Sequence, residues 1–420
     1  MVHIAILGYG VIGSGIAQVL AQNRVYIERK AGQVINVKRV LDKLDFPGDP
    51  VEPILTHDIN DILNDEKIKI VAEVMGGVTP AYSFVKQALL ANKSVCTSNK
   101  ELVIAHGAEL LRIAKERELN FMFEASVGGG IPIVRPINLA LTTDEIVGIA
   151  GILNGTSNYI LTSMNAYAKG FDEALAEAQA LGYAESSPAQ DVKGYDACRK
   201  LAILLSLATG KQVDYDDIHT EGITDIGTVD FDFARSFGYT IKLLVDGRIK
   251  PNGVEALVAP CLVHHSHPLY TVNDVFNGVL VQAKVTDNVM FYGRGAGKLP
   301  TAGAVVSDIV DVSKHLHRHI MHDWLEEKMP VLDSSSYIKR KMIRISCSDP
   351  AQAKEAVACC MGFGSDQLFS LPDYPNFVAW LTQQETERET AQKLALLAQS
   401  PGVTKIENVF RIYEPIVLNV

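Results

Sequence analysis

The feature that most restricts the fold lies at the start of the chain. A short apolar run, residues 3 to 7 (His-Ile-Ala-Ile-Leu), meets Gly8-Tyr-Gly10-Val-Ile-Gly13, and residues 14 to 22 then show apolar positions at helical spacing. A strand ending in G-x-G-x-x-G and turning at once into a helix lets the main chain approach a diphosphate, whose charge the helix N-terminus receives. Gly8, Gly10, Val11, Ile12 and Gly13 are therefore the candidate dinucleotide-binding turn. The competing reading is a tight strand-to-helix turn without a ligand.

Further apolar runs at 35 to 41, 70 to 74 and 94 to 97 alternate with helical patterns at 58 to 65, 80 to 91 and 101 to 117. Alternation of this kind predicts an α/β chain whose first 130 residues form a Rossmann-type, doubly wound parallel sheet. An acidic residue closing the second strand favours NAD, a basic one NADP. Arg39, Asp42 and Lys43 all sit there. With Arg39 and Lys43 flanking a 2′-phosphate and Asp42 turned away, NADP is expected, and NAD is the alternative.

The length, 420 residues, leaves room for two to four domains. Beyond residue 130, strands at 145 to 153 and 278 to 292 and helices at 156 to 168, 171 to 181 and 195 to 208 predict an α+β domain over 131–295. The glycine-rich stretch from Gly293 to Gly303 leads into a predicted helix at 304 to 316, and the segment 296–320 is expected to return to the first domain. A polar linker follows over 321–340. Residues 341–420 read strand, helix, two strands, helix and strand (342–347, 351–361, 367–370, 377–382, 387–399, 403–412), the order of a ferredoxin-like module.

Composition narrows the partners. Apolar residues make up 47% and charged residues 21%, an ordinary folded composition. Lys and Arg number 39 against 49 Asp and Glu, a net charge of −10 that gives no basic field for nucleic acid or an anionic membrane. The six cysteines lack the spacing of a disulfide framework or zinc ribbon, the first residues lack a basic leader, and no apolar run approaches the roughly 18 residues of a membrane span. A cytoplasmic protein, neither exported nor membrane-spanning, is expected.

The densest polar cluster runs from Gly182 to Lys200 and holds Glu185, Asp191, Asp196 and Lys200. Asp196 and Lys200 are four apart and share a helical face, acid on the N-terminal side. A solvated ion pair is the plain explanation, yet the same helix continues Leu-Ala-Ile-Leu-Leu-Ser-Leu and is expected to be buried. The string Ala178-x-x-x-Gly182-Tyr183-Ala184-Glu185-x-x-Pro188-x-x-Asp191-Val192-x-Gly194-x-Asp196-x-x-x-Lys200 resembles the signature of homoserine dehydrogenases. So do Glu73 to Pro80, Thr97-Ser-Asn-Lys100, Glu124 to Pro132, Asn154 to Tyr159 and Gly293 to Thr301, across the first 320 or so residues.

The resemblance implies reversible NAD(P)-dependent oxidation of L-homoserine to L-aspartate 4-semialdehyde, a step toward threonine and methionine. It makes Lys200 the acid/base and places Lys100 beside the substrate oxygen, where alkoxide charge develops. Glu185, Asp191, Asp196 and Thr156 would hold the substrate, and Ser98 and Lys100 would join the glycine turn, Arg39 and Lys43 in holding the cofactor. It also implies a sodium or potassium ion on Glu124 and the carbonyls of Val127, Gly129 and Ile131, against a plain reading in which Glu124 is paired locally.

The histidines at 264, 265, 267, 315, 317, 319 and 322 read as a polar face rather than a zinc site. The tail resembles an ACT-type regulatory domain, with an amino-acid effector as its expected ligand. It departs from that pattern at Ser348-Asp349-Pro350-Ala351, where a glycine is usual. A homodimer or homotetramer joined through the middle sheet is expected. The alternative function is a related Rossmann-type oxidoreductase acting on another small substrate, and a cofactor-fold regulator without catalysis is the rival from another class.

Overall fold

The computed structural model describes residues 1–321, 324–362 and 368–416. Its contacts define two compact units: Met1–Ile146, Arg199–Tyr215 and Met290–Met329 form the first, and Val147–Cys198, Asp216–Val289 and the described residues from Pro330 onward form the second.

The first unit is built on a six-stranded parallel sheet in the order Leu55–Thr56, Ile35–Leu41, Val2–Leu7, Ile68–Glu73, Ser94–Thr97, Phe121–Met122. Ile4, Ala5, Ile6 and Leu7 are fully buried, as expected of a central parallel strand covered on both faces. Helices Val11–Gln22, Ala81–Leu90 and Lys100–Glu116 provide the cover, and a helix at Arg24–Ala31 was not expected. The glycine-rich stretch does return to this unit, as helix Lys298–Lys314. That helix begins six residues before its predicted start, because Pro300 falls in the first turn, where its missing N–H costs no intrahelical bond.

The described residues of the expected linker at 321–340 include secondary structure and buried side chains. Trp324 is buried, donates its indole N–H to Gln212 (2.7 Å) and lies where a Cβ on Gly107 would come within 3.0 Å. Strand Leu325–Lys328 pairs with Lys211–Gln212. Polar composition suggested an exposed stretch, and strand Leu325–Lys328 is exposed, but Trp324, Tyr337 and Lys339 are buried anchors.

The second unit carries a nine-stranded mixed sheet, in which Ile146–Ile152, Tyr239–Lys250, Gly253–His264, Val403–Ile412, Lys341–Cys347 and Phe377–Leu381 are successive neighbours. Two findings differ from expectation. The single strand predicted at 278 to 292 is two, Phe276–Ala283 and Asp287–Arg294, separated by a turn. The hairpin Tyr239–Lys250/Gly253–His264, paired from Tyr239↔His264 to Lys250↔Gly253, was missed although Pro251 and Asn252 mark its turn.

The tail does not stand apart by its contacts. Its last strand runs parallel to the hairpin through Cys261↔Arg411 and Leu262↔Ile412 and antiparallel to Lys341–Cys347. Helices Pro350–Met361 and Glu387–Leu397 pack on this sheet around Ile343, Ile345, Val357, Val378, Trp380 and Leu397. Of the expected strand at 367 to 370, residue 367 lies outside the described residues and Phe369 forms a bridge to Ala379. Ion pairs join the tail to the middle: Arg344 to Asp230 (2.7 Å) and Lys339 to Asp246 (2.6 Å), both buried, and Arg411 to the half-buried Glu221 (2.9 Å). Tyr337 adds a main-chain tie, its hydroxyl accepting from Ala256 N–H (3.0 Å). No helix among the described residues is long and apolar enough to cross a membrane.

Two predictions follow from these contacts. A chain ending at Leu332 loses Arg344, the cation of buried Asp230, and Lys339, one of the two on buried Asp246, and uncovers the edge of Gly253–His264, so it should aggregate or unfold rather than remain a stable core. Leaving a buried charge alone costs about 3–5 kcal/mol. Gel filtration and circular dichroism of the truncated chain are the check, and a monodisperse, fully folded product would refute it.

The second concerns Lys242, buried in the second unit, whose ammonium donates to Val272 O (2.7 Å), Asn273 Oδ1 (2.8 Å) and Asn158 Oδ1 (3.3 Å). Burial lowers its pKa from 10.5 to about 7. The unfolded chain then binds the extra proton between pH 7 and 10.5, so this residue makes stability rise with pH in that window. Urea midpoints from pH 7 to 10 should rise more in the wild type than in Lys242→Met; parallel profiles would exclude the effect.

Candidate active site

In the first unit the glycine turn has the geometry its spacing implied. A Cβ on Gly13 would lie 2.0 Å from the carbonyl oxygen of Gly8, so helix and strand touch there, while a Cβ on Gly10 would meet nothing within 4 Å. Helix Val11–Gln22 has no side-chain cap and no acidic residue in its first turn, so the N–H groups near Val11 and Ile12 face an open cradle that fits a diphosphate.

A cleft of about 610 Å³ adjoins this turn, lined by residues that include Gly8, Gly10, Asp42, Lys43, Met75 and Thr79. Asp42 is not turned away: its carboxylate accepts the N–H of Tyr9 (2.6 Å) and of Leu44 (3.0 Å), tying the end of the second strand to the glycine turn. Arg39 is not among the lining residues, and its guanidinium donates to Lys38 O (3.3 Å).

Where the fourth and fifth strands end, side chains form a relay. Buried Glu73 accepts from Thr97 Oγ1 (2.6 Å) and Met75 N–H (2.8 Å), and burial raises its carboxyl pKa. Thr97 Oγ1 accepts from Asn99 N–H (2.9 Å), Ser98 N–H donates to Glu73 O (3.3 Å), and Asn99 caps helix Lys100–Glu116 through Leu102 N–H (3.1 Å). Lys100 is thus the first residue of a helix fixed at the carboxyl edge of the sheet, the edge where open α/β sheets bind ligands. Glu73 and Asn99 lie in the resembling motifs but were given no role from sequence; an acid closing a buried strand was the available signal.

The same unit holds the Glu124 loop. The Glu124 carboxylate accepts the N–H groups of Ile133 (2.6 Å), Val134 (2.9 Å) and Arg135 (2.7 Å), and burial raises its pKa against their pull. Its own N–H donates to Asp308 (2.9 Å), which also pairs with Arg135 (2.5 Å). Gly128 and Gly129 adopt positive φ (73° and 53°), and among the described residues the carbonyls of Val127, Gly129 and Ile131 accept no hydrogen bond. The local pairing is therefore real, and oxygen donors remain beside it.

In the second unit Asn154 does three things at once. Its Oδ1 caps helix Gly155–Tyr167 through Ser157 N–H (2.8 Å), and its amide donates to Asp191 (2.7 Å) and Asp196 (2.9 Å). Two carboxylates far apart in sequence from Asn154 are thereby drawn together at a helix N-terminus. Thr156 Oγ1 donates to Tyr183 O (2.7 Å), and Glu185 is exposed in the loop that follows. Lys200 lies one turn after Asp196 on helix Tyr195–Thr209. Of the histidines, His315 and His319 place Nδ1 against the carbonyls of Asp311 (2.9 Å) and Leu119 (2.7 Å), and His322 lies outside the described residues.

A Rossmann sheet with an open glycine cradle and a strand-end lysine defines a nicotinamide-dinucleotide-dependent oxidoreductase. Comparison with known proteins gives the family. The family described as "Homoserine dehydrogenase, NAD binding domain" matches residues 8–124, and "Homoserine dehydrogenase" matches residues 132–310. The homoserine dehydrogenase of Bacillus subtilis (strain 168) is 39% identical over 428 residues, covering 98% of both chains. The crystal structure of a homoserine dehydrogenase from Thiobacillus denitrificans superposes with a TM-score of 0.88 at 33% identity, covering 98% of both. A hyperthermophilic archaeal homoserine dehydrogenase in complex with NADPH is similar over 74% of this chain and 97% of its own, with a TM-score of 0.63 and 25% identity. The chain belongs to the homoserine dehydrogenase family.

The Asn154 geometry predicts an order among variants. Asn154→Ser keeps a helix cap but drops the two carboxylate bonds, each worth about 1.5–3 kcal/mol. Asn154→Asp also keeps the cap but sets a third carboxylate against the other two. Urea unfolding at pH 7 should rank wild type above Asn154→Ser above Asn154→Asp; an aspartate variant at least as stable as the serine variant would show that the amide does not hold the pair.

Proposed function

We propose that this protein catalyses the reversible oxidation of L-homoserine to L-aspartate 4-semialdehyde with NADP, in the cytoplasm, for threonine and methionine formation. The observation that carries the reading is the carboxylate pair Asp191 and Asp196, both bonded by the Asn154 amide, with Asp196 one turn before Lys200 on its helix. Paired carboxylates suit a substrate ammonium, and a following lysine suits the hydroxyl whose proton must leave.

When bound, the nicotinamide ring supplies the hydride acceptor for C4 of the substrate. The chain's own residues do the rest. Asp191, Asp196 and Glu185 hold the ammonium group, and Thr156 orients the substrate at the head of helix Gly155–Tyr167. Lys200 takes the hydroxyl proton and returns it in the reverse direction. Lys100, fixed through Glu73, Thr97 and Asn99, offsets charge on the substrate oxygen. Gly8, Gly10, Val11, Ile12, Gly13 and Ser98 seat the cofactor. For the 2′-phosphate, Lys43 is the cation lining the cleft, since the Asp42 oxygens are engaged by main-chain N–H groups.

Glu124 with the carbonyls of Val127, Gly129 and Ile131 would hold a sodium or potassium ion, hard oxygen donors suiting a hard cation. Its role there is to set the loop. The tail, with its two helices over one sheet face, is the regulatory part, taking an amino-acid effector, and the protein acts as a homodimer or homotetramer through the middle sheet.

The decisive assay follows reduction of NADP and NAD in separate reactions with L-homoserine. Turnover is expected with both, kcat/KM being higher for NADP and falling selectively for NADP in Lys43→Ala. Lys200→Arg should fail nearly as badly as Lys200→Ala, each losing on the order of 10²- to 10⁴-fold, because a guanidinium does not give up its proton. No reduction with L-homoserine would refute the substrate, and a robust arginine variant would refute the proton role.

A further inference from the structure

Helix Lys298–Lys314 runs parallel to the first helix, Val11–Gln22, and both begin at the carboxyl edge of the parallel sheet. Its C-terminal end lies at the amino edge, where Ser313 O accepts from the side chain of Gln33 (2.7 Å), two residues before the second strand. The stretch preceding it lies at the opposite edge: a Cβ on Gly129, beyond the sixth strand, would come within 2.4 Å of Gly295 O. The two helices touch at their starts. A Cβ on Gly15 would lie 3.0 Å from Ala302 Cβ, 3.1 Å from Lys298 Cγ and 3.1 Å from Lys298 O.

The Lys298 stem therefore packs beside the first helix one turn in from the glycine cradle. Side chains lean toward the N-terminus of their own helix, so the ammonium group extends toward the start of its neighbour. Lys298 is exposed, and among the described residues its Nζ makes no ion pair or hydrogen bond. Three sources of positive potential thus converge: two helix N-termini and one ammonium. Neither helix carries an acidic residue in its first turn. A lysine at the first position of a helix is electrostatically disfavoured unless an anion stands nearby, since that end already carries partial positive charge.

We propose that Lys298 binds the diphosphate of the nicotinamide cofactor, closing over it from the returning helix while the glycine turn holds it from below. This rests on the cofactor reading above and adds a charged contact shared by NAD and NADP, separate from Lys43 at the adenosine end.

The test uses the full-length protein and the fluorescence of NADPH and NADH to measure dissociation constants for wild type, Lys298→Ala, Lys298→Glu and Lys298→Arg. An exposed charge-assisted contact predicts a loss of roughly 3- to 10-fold for Lys298→Ala, equal for both cofactors, a larger loss for Lys298→Glu, and recovery in Lys298→Arg. Inorganic diphosphate should displace NADPH from the wild type and compete several-fold less well in Lys298→Ala. Unchanged affinity in Lys298→Ala, with unfolding temperature also unchanged, overturns the inference, as does a loss confined to NADPH, which would place the ammonium on the 2′-phosphate. A wild type that binds neither cofactor instead overturns the cofactor reading on which the inference stands.

Discussion

Asp308 has no exposure, and three partners depend on it: the main-chain N–H of Glu124, the Arg135 guanidinium and, through Arg135, Ser307 on its own helix. Burial lifts its carboxyl pKa to about 7, with Arg135 opposing. One donor on each carboxylate oxygen, Glu124 N–H on one and Arg135 on the other, recovers part of the desolvation cost. The consequence is positional. Asp308 sits on the returning helix, Glu124 and Arg135 in the loop after the last strand, so this cluster fastens a segment more than 170 residues downstream onto the dinucleotide sheet. The glycine stretch that leads the returning helix lies against Gly129 and Gly130 for the same reason.

How much of this could be read from the chain varies with the range of the interaction. The glycine turn, the parallel sheet and helix Lys100–Glu116 are encoded by local spacing and periodicity, and each appears where expected. The return of 296–320 was legible because a second glycine-rich stretch is otherwise hard to place. The hairpin of residues 239–264 was not: its strands hold Lys242, Asp246 and Arg248 at interior positions, and those charges disguise a core strand until their partners are known. Lys339 deceived in the same way, since a polar stretch reads as a linker unless Asp246 stands opposite it in the fold.

The candidate site divides along the same line. Lys100, Asp191, Asp196 and Lys200 stand out by motif. What fixes them does not: Asn154 reaches Asp191 and Asp196 from some forty residues away, and Glu73 meets Thr97 across a strand pair. Asp42 was misjudged because strand alternation gives the side of a residue, not the main-chain donor it will find; the N–H of Tyr9, 33 positions earlier, turns it inward.

The tail shows what such buried charges contribute. Replacing a buried ion pair by apolar residues of similar volume is often neutral for stability, so Arg344–Asp230, Lys339–Asp246 and Arg411–Glu221 are poor candidates for the main source of it. Their effect is on pairing. Apolar faces of strands 341–347 and 403–412 could slide by two residues against the hairpin and still bury their side chains. Such a slip would leave buried Asp230 without a cation and buried Asp246 with Arg248 alone. The charges thus select one register for a sheet that apolar contacts alone would leave underdetermined. A tail held in a single register on the sheet that also carries strand Ile146–Ile152, which leads to Asn154, is mechanically continuous with the carboxylate pair.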